Sequence, residues 1–292
     1  KIEKSKGLPI CIHGGAGIGK STISQQLKEF IPKYCECITF DCYGNGSYLD
    51  PSDRRHLHKN ALIHISNEIA KRTGVDFLIN KNESDEVYLK EFKRRINDAI
   101  SILKKRNKKA YFLIIIDAAD NNVTAAEKRN ESSFVHDLLE ESFPNDCKLI
   151  FTTRTYRKDS LKLPHKYIDI EILPFSIKET KEYLTSFFPN SSNENIKEFH
   201  ILTDGIPRVQ SYAINLKKEG ISEVINYLKP NGKVVEDLIE ERINEAVKKI
   251  GNNGRQLVNS FFTNLITLPR PVPLNFISKI LKVEKGFLLD LS

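Results

Sequence analysis

Near the start of the chain, Gly14-Gly-Ala-Gly-Ile-Gly-Lys-Ser21 satisfies the spacing GxxxxGK[ST] between a β-branched run and an amphipathic stretch. This feature constrains the fold more than any other, because such a loop works only where a strand delivers it and a helix leaves it. Glycines let the backbone curl until consecutive N–H groups, from Gly17 to Ser21, point at one anion, and the helix start adds partial positive charge. Gly15, Ala16, Gly17, Ile18 and Gly19 then wrap a β-phosphate. Lys20 reaches the β- and γ-oxygens, Ser21 offers its hydroxyl to Mg²⁺, and Thr22 is placed to donate to the α-phosphate. The bland alternative is a glycine-rich strand–helix turn with no ligand.

From residue 8 to 172, short β-branched or aromatic runs alternate with longer amphipathic stretches. That is the pattern of βαβ units around a parallel sheet flanked by helices, an α/β fold. Strands are predicted at 9–13, 36–41, 111–117, 148–152 and 167–172. The third is apolar almost without break, as in a central strand covered on both faces. Helices are predicted at 20–30, 56–73, 85–106 and 134–142, the third capped by Ser84 with Asp85 and Glu86 in its first turn. After Leu173 the strand pattern stops. Ser176 and Glu179 form a capping box opening a helix to about residue 187, and further helices follow at 194–203, 208–218, 222–228 and 235–250. Gly251-Asn-Asn-Gly254 marks another boundary, with helices at 256–262 and 274–281 beyond it. We expect three parts: a nucleotide-binding domain over 1–174, a small helical domain over 175–253, and the start of a third domain over 254–292. The chain contains no Met, and residues 286–292 read as a helix cut short, so an excerpt of a longer protein is expected.

Two further strand ends carry chemistry. The run 111–117 ends in Asp117, placed to fix the hydration shell of Mg²⁺ beside the phosphate loop. Asp120 either orients and deprotonates an attacking water or caps the next turn. Leu149-Ile-Phe-Thr-Thr-Arg154 ends in a guanidinium at the crevice where open α/β sheets bind ligands. Arg154 either reads a γ-phosphate through a charge-assisted bond or forms a surface salt bridge.

Together these residues resemble the STAND class of signal-transducing P-loop ATPases, which includes NACHT and NB-ARC modules. Gly14–Ser21 is similar to Walker A, Ile116-Asp-Ala-Ala-Asp120 to the NACHT-type Walker B, Thr152-Thr-Arg154 to sensor 1, and Gly205-Ile-Pro-Arg208 to the GLPL motif. Phe40-Asp-Cys-Tyr-Gly-Asn-Gly46, Asp117-Ala-Ala-Asp-Asn121, Pro207-Arg-Val-Gln210 and Leu268-Pro-Arg-Pro-Val-Pro273 resemble segments of the bacterial antiviral members. The resemblance covers essentially the whole chain. It implies ATP or ADP with Mg²⁺ as ligands, Pro207 against the adenine ring, and a winged helix opening near Arg255. It also implies a homo-oligomer when active, a phage protein recognised by a separate sensor, and a separate effector. The resemblance implies slow, switch-type hydrolysis; where many NACHT proteins have Asp-Glu, this chain has Asp120-Asn121, so the hydrolytic step is either slow or rests on Asp120 alone.

The remaining features are weaker. Forty-five basic against 38 acidic residues give +7, which suits an anionic ligand but is too dilute to demand nucleic acid. No apolar run approaches the roughly 18 residues needed to span a bilayer. Five cysteines at 11, 35, 37, 42 and 147 contain no CxxC pair, so a reduced, cytoplasmic setting is expected. With His56 and His58 they fit no zinc-ligand spacing. The cluster Arg54-Arg-His-Leu-His58 either supplies a trans-acting arginine finger or phosphate contacts through Arg54 and Arg55, or begins a solvated helix. Arg208 either approaches the phosphates or a neighbour, or forms a structural ion pair. The basic run 104–109 reads as a solvated helix end. Two other functions fit parts of the pattern: a DNA-associated AAA-type or transcription-regulator ATPase, and a small-molecule kinase with Asp41 as acceptor-side carboxylate.

Overall fold

A computed structural model describes residues 2, 5, 7–50, 52–216, 220–229, 247, 254–267 and 274–281. Five parallel strands form one sheet: β1 (Ile10–Gly14), β2 (Glu36–Asp41), β3 (Phe112–Asp117), β4 (Cys147–Arg154) and β5 (Ile168–Ile172), in the order β2-β3-β4-β1-β5. The connecting helices are α1 (Lys20–Phe30), α2 (His58–Thr73), α3 (Asp85–Arg106), α4 (Ala119–Arg129) and α5 (Phe134–Glu140). Parallel strands require crossovers, and helices supply them on both faces.

The unbroken apolar run of β3 is explained by its two faces. Phe112, Ile114 and Ile116 join a core with Phe40, Leu62, Phe92 and Phe134, between the sheet and α2, α3 and α5. Leu113 and Ile115 join Ile10, Ile12 and Ile150 on the opposite face, where Leu27 of α1 packs. All six β3 residues are buried.

Strand order and register decide what meets at the carboxyl edge. β4 lies between β1 and β3, so the phosphate-loop strand and the acidic strand are not neighbours. Gly14 stands opposite Arg154, and Asp41 opposite Asp117. The last residues of four strands therefore share one edge of the sheet.

Most predicted elements are present. α1 and α3 have the predicted bounds, and the Ser84 hydroxyl accepts the Val87 N–H at the start of α3. Basic residues close α3 as expected. β4 is longer than predicted at both ends. α2 begins at His58 rather than residue 56, and α5 ends at Glu140 rather than 142. α4 has no counterpart among the predicted helices. Its start, Asp120-Asn-Asn122, is polar and reads as a turn, yet all three side chains are buried, and Ala118 enters the helix from the left-handed region (φ 54°).

After β5 the described chain is helical: α6 (Ile177–Thr185), α7 (Asn193–Leu202), α8 (Pro207–Leu216) and α9 (Ile221–Leu228). The capping box of Ser176 and Glu179 opens α6 as predicted. These helices share their own apolar cluster, centred on Leu184, Phe199, Ile214 and Val224. Two further helices follow, α10 (Gly254–Thr267) and α11 (Leu274–Leu281). The predicted helix 235–250, apart from Val247, and the segment 268–273 lie outside the described residues. Among the described residues no helix is long and apolar enough to cross a membrane.

Candidate functional site

The phosphate loop leaves β1 at Gly14 and enters α1 at Lys20. Gly17 (φ 74°) and Gly19 (φ 100°) hold backbone conformations that side chains disfavour, and Gly19 stands at the helix N-cap without a side-chain cap. Among the described residues, no N–H from Gly15 to Thr22 donates a backbone hydrogen bond. The loop thus gathers a run of unused donors at the N-terminus of an 11-residue helix whose first turn carries no acid. Lys20 Nζ donates to the carbonyls of Gly14 (2.9 Å) and Gly15 (2.7 Å). Burial lowers the Lys20 pKa, aided by Arg154 and opposed by Asp120 and Asp117. Ser21 and Thr22 are exposed on the first turn of α1, and Ile18 is buried beneath the loop.

Asp117 is buried at the end of β3. Its Oδ1 accepts from Ser24 Oγ (3.0 Å) and Thr152 Oγ1 (2.6 Å), and Thr152 Oγ1 in turn accepts the Ala118 N–H (2.7 Å). One hydroxyl of β4 therefore fixes both the acid and the left-handed residue that opens α4. Thr152→Val keeps the shape while leaving the partly buried Ala118 N–H unpaired and removing a bond to a buried carboxylate. We expect a loss of about 3 kcal/mol of unfolding free energy, measured by denaturant titration.

Asp120 sits in the first turn of α4, is 1% exposed, and does not cap it. The capping alternative is thereby replaced by an ion-pair cluster: Oδ2 lies 3.5 Å from Arg157 Nη1 and 3.8 Å from Arg154 Nη1. Arg154 accordingly pairs inside the site rather than on the surface. Burial raises the Asp120 pKa against the pull of Arg154, Arg157 and Lys20.

The start of α8 docks on the loop. The Arg208 N–H donates to the Gly17 carbonyl (3.1 Å), so Pro207, first residue of α8, is held beside the phosphate loop. A side chain at Gly17 would meet Arg208 Cβ at 3.0 Å and Ile206 at 3.3 Å. The Arg208 side chain is exposed and makes no ion pair among the described residues, so the structural pair considered for it is not formed there.

Other sequence candidates are engaged elsewhere. Arg55 donates to Asp53, Ser47 and the Asp41 carbonyl, and Arg54 to Glu131. His56 and His58 are fully buried rather than solvated, His56 against Glu131 (2.6 Å) and His58 against Asp137 (2.6 Å). The Asp41 carboxylate accepts from the backbone N–H groups of Tyr43 and Gly44. The five cysteines are buried and form no disulfide among the described residues. Sequence reasoning missed Ser24, which lies one helical turn beyond Lys20 and so on the same face, and Arg157, which follows Arg154 by three residues on a 3₁₀ segment, Thr155–Leu161.

No protein-family model matches this chain, and neither does any curated protein. Among solved structures it is similar to a Walker-type ATPase of Pyrococcus abyssi, with 18% identity and a TM-score of 0.49, covering 94% of this chain and 84% of that one. A RuvB variant of Thermotoga maritima is 14% identical, with a TM-score of 0.42, covering 96% of this chain and 76% of the other. A signal transduction ATPase with numerous domains and a tetratricopeptide-repeat sensor, from Pyrococcus horikoshii, is 18% identical with a TM-score of 0.44. That match covers 98% of this chain but 38% of the other.

Proposed function

We propose that this chain binds a nucleoside triphosphate and hydrolyses it slowly, as the switch module of a larger signalling protein. One observation carries this reading: unused loop N–H donors and Lys20 lie on the same sheet edge as two buried acids, Asp117 and Asp120, with Arg154 in register with Gly14. A helix N-terminus with a backbone nest binds phosphate, and a guanidinium beside it adds charge-assisted bonds to terminal oxygens.

Mg²⁺ fits the residues present. Ser21 offers an exposed hydroxyl, and Asp117 a carboxylate whose side-chain bonds among the described residues fall on Oδ1; the ion favours oxygen donors and takes few protein ligands. When bound it would neutralise phosphate charge. In hydrolysis, Asp120 takes a proton from water, the water oxygen bonds to the γ-phosphorus, and the bond from that phosphorus to the bridging β–γ oxygen breaks. The products are a nucleoside diphosphate and inorganic phosphate. Lys20 and Arg154 offset the charge on the transferred group.

The motif resemblance supports the finer reading: an ATP-driven switch of the STAND type, serving antiviral defence. In it, 1–174 bind the nucleotide, 175–253 form a helical lid whose Pro207 meets the base, and 254–292 begin a winged helix. The trigger, a phage protein, acts through a sensor, and ATP-bound copies assemble to activate an effector. A ligand drives such assembly only by its differential affinity for the two states.

Phosphate release from Mg²⁺-ATP by the intact protein, with sedimentation in ATP and in ADP, tests this. We expect slow turnover and larger assemblies with ATP once triggered. No turnover together with identical sedimentation in both nucleotides would overturn it.

A further inference from the structure

Two guanidinium groups, from Arg154 and Arg157, reach the same oxygen of Asp120, and Arg157 also lies 3.4 Å from Asn121 Oδ1. What holds them differs. Arg154 ends β4 opposite Gly14 and so stands beside the phosphate cradle. Arg157 belongs to a segment anchored to the sheet behind that cradle. Thr155 Oγ1 lies 3.1 Å from Nδ1 of buried His13, and Lys158 Nζ donates to Asp169 (2.7 Å), whose other oxygen is 3.2 Å from His13 Nε2. The Arg157 guanidinium also sits 5.6 Å from the Tyr156 ring centroid.

A triphosphate therefore competes for Arg154 and Lys20 while the anchor of Arg157 stays in place. We propose that Arg157 is a positioning residue for hydrolysis, keeping the Asp120 carboxylate ionised and oriented once Arg154 and Lys20 turn to the phosphates. The groups facing Asp120 are Lys20 on α1, Cys42 beyond β2, Asp117 on β3, Arg154 on β4, and Arg157. Asp117 is an acid and Cys42 a buried neutral thiol, so Arg157 is the cation left to it among these groups. Burial favours the neutral carboxyl, and a base must be ionised to accept a proton.

The inference rests on Asp120 acting as the base. The test compares Arg157→Gln, Arg157→Lys and Asp120→Asn in the intact protein, reading the pH profile of kcat for ATP hydrolysis alongside ATP affinity. In Arg157→Gln the acid limb should move up by about one pH unit or more, with ATP affinity within about threefold of wild type. Arg157→Lys, which restores the charge, should fall between the two. An unmoved limb in folded Arg157→Gln overturns the inference, and so does a tenfold loss of ATP affinity with the limb in place, which would make Arg157 a phosphate ligand. Should Arg157→Gln not fold, Arg157→Lys carries the same test with a smaller shift. Wild-type turnover by Asp120→Asn would instead remove the base assignment, independently of Arg157.

Discussion

Asp120→Asn should reduce ATP turnover by about 1,000-fold, since a positioned base contributes about 100- to 10,000-fold. ATP affinity should hardly change, because the ion pairs of the carboxylate among the described residues are with Arg154 and Arg157 and not with Lys20. The stability of the protein without nucleotide should move the other way. Burial holds the Asp120 carboxyl above the usual carboxylate range despite three nearby cations. A carboxyl raised by folding is favoured in its neutral form, so ionised Asp120 weakens the fold at every pH above the raised value. That penalty shrinks as pH falls through the raised value and disappears below the unfolded value of about 3.9. Near neutrality, the asparagine variant should melt at or above wild type, and the gap should close in acid. Thermal melts from pH 3 to pH 8, together with phosphate release, check both halves. A variant that melts well below wild type at neutral pH would show Asp120 to be a structural ion-pair partner.

Lys20→Ala should lower ATP affinity by about 100-fold, equivalent to about 3 kcal/mol. Hydrogen bonds from a charged donor are worth about 1.5–3 kcal/mol each, and Lys20 can serve both β- and γ-oxygens. The loss should therefore be larger for ATP than for ADP. Without nucleotide, the ammonium is spent on the carbonyls of Gly14 and Gly15, and burial already lowers its pKa, so the variant should melt close to wild type. The difference appears on adding nucleotide. At 100 times Kd, ATP adds about 2.7 kcal/mol to wild-type stability. The variant should show little of that rise in the same thermal-shift measurement.

The parts of this site that were legible in the sequence are those written in local chemistry. GxxxxGK[ST] between a strand and a helix located Gly14–Ser21, and the apolar run of β3 located Asp117, because one needs glycine torsions and the other needs two covered faces. Caps set the bounds of α3 and α6, where Ser84 and Ser176 accept from the backbone as their spacing predicts. What escaped depends on partners far along the chain. α4 starts from a left-handed alanine held by Thr152, 34 residues away, and buries Asp120, Asn121 and Asn122 in the site, so its polar start looked like a turn. Arg157 reads as one more surface cation until β4 places its segment over Asp120. His56 and His58 look like part of a solvated basic helix start, yet both rings are fully buried, with the partly exposed carboxylates of Glu131 and Asp137 against them.

On the proposed function, the loop Gly14–Ser21, with its Lys20, holds a nucleoside triphosphate. Calorimetric titration of the intact protein with ATP and Mg²⁺, beside Lys20→Ala under identical conditions, tests it most directly. The geometry predicts saturable binding of one ATP per chain by wild type and an affinity about 100-fold weaker in the variant. No saturable binding by wild type, or equal affinity in the two proteins, would contradict it.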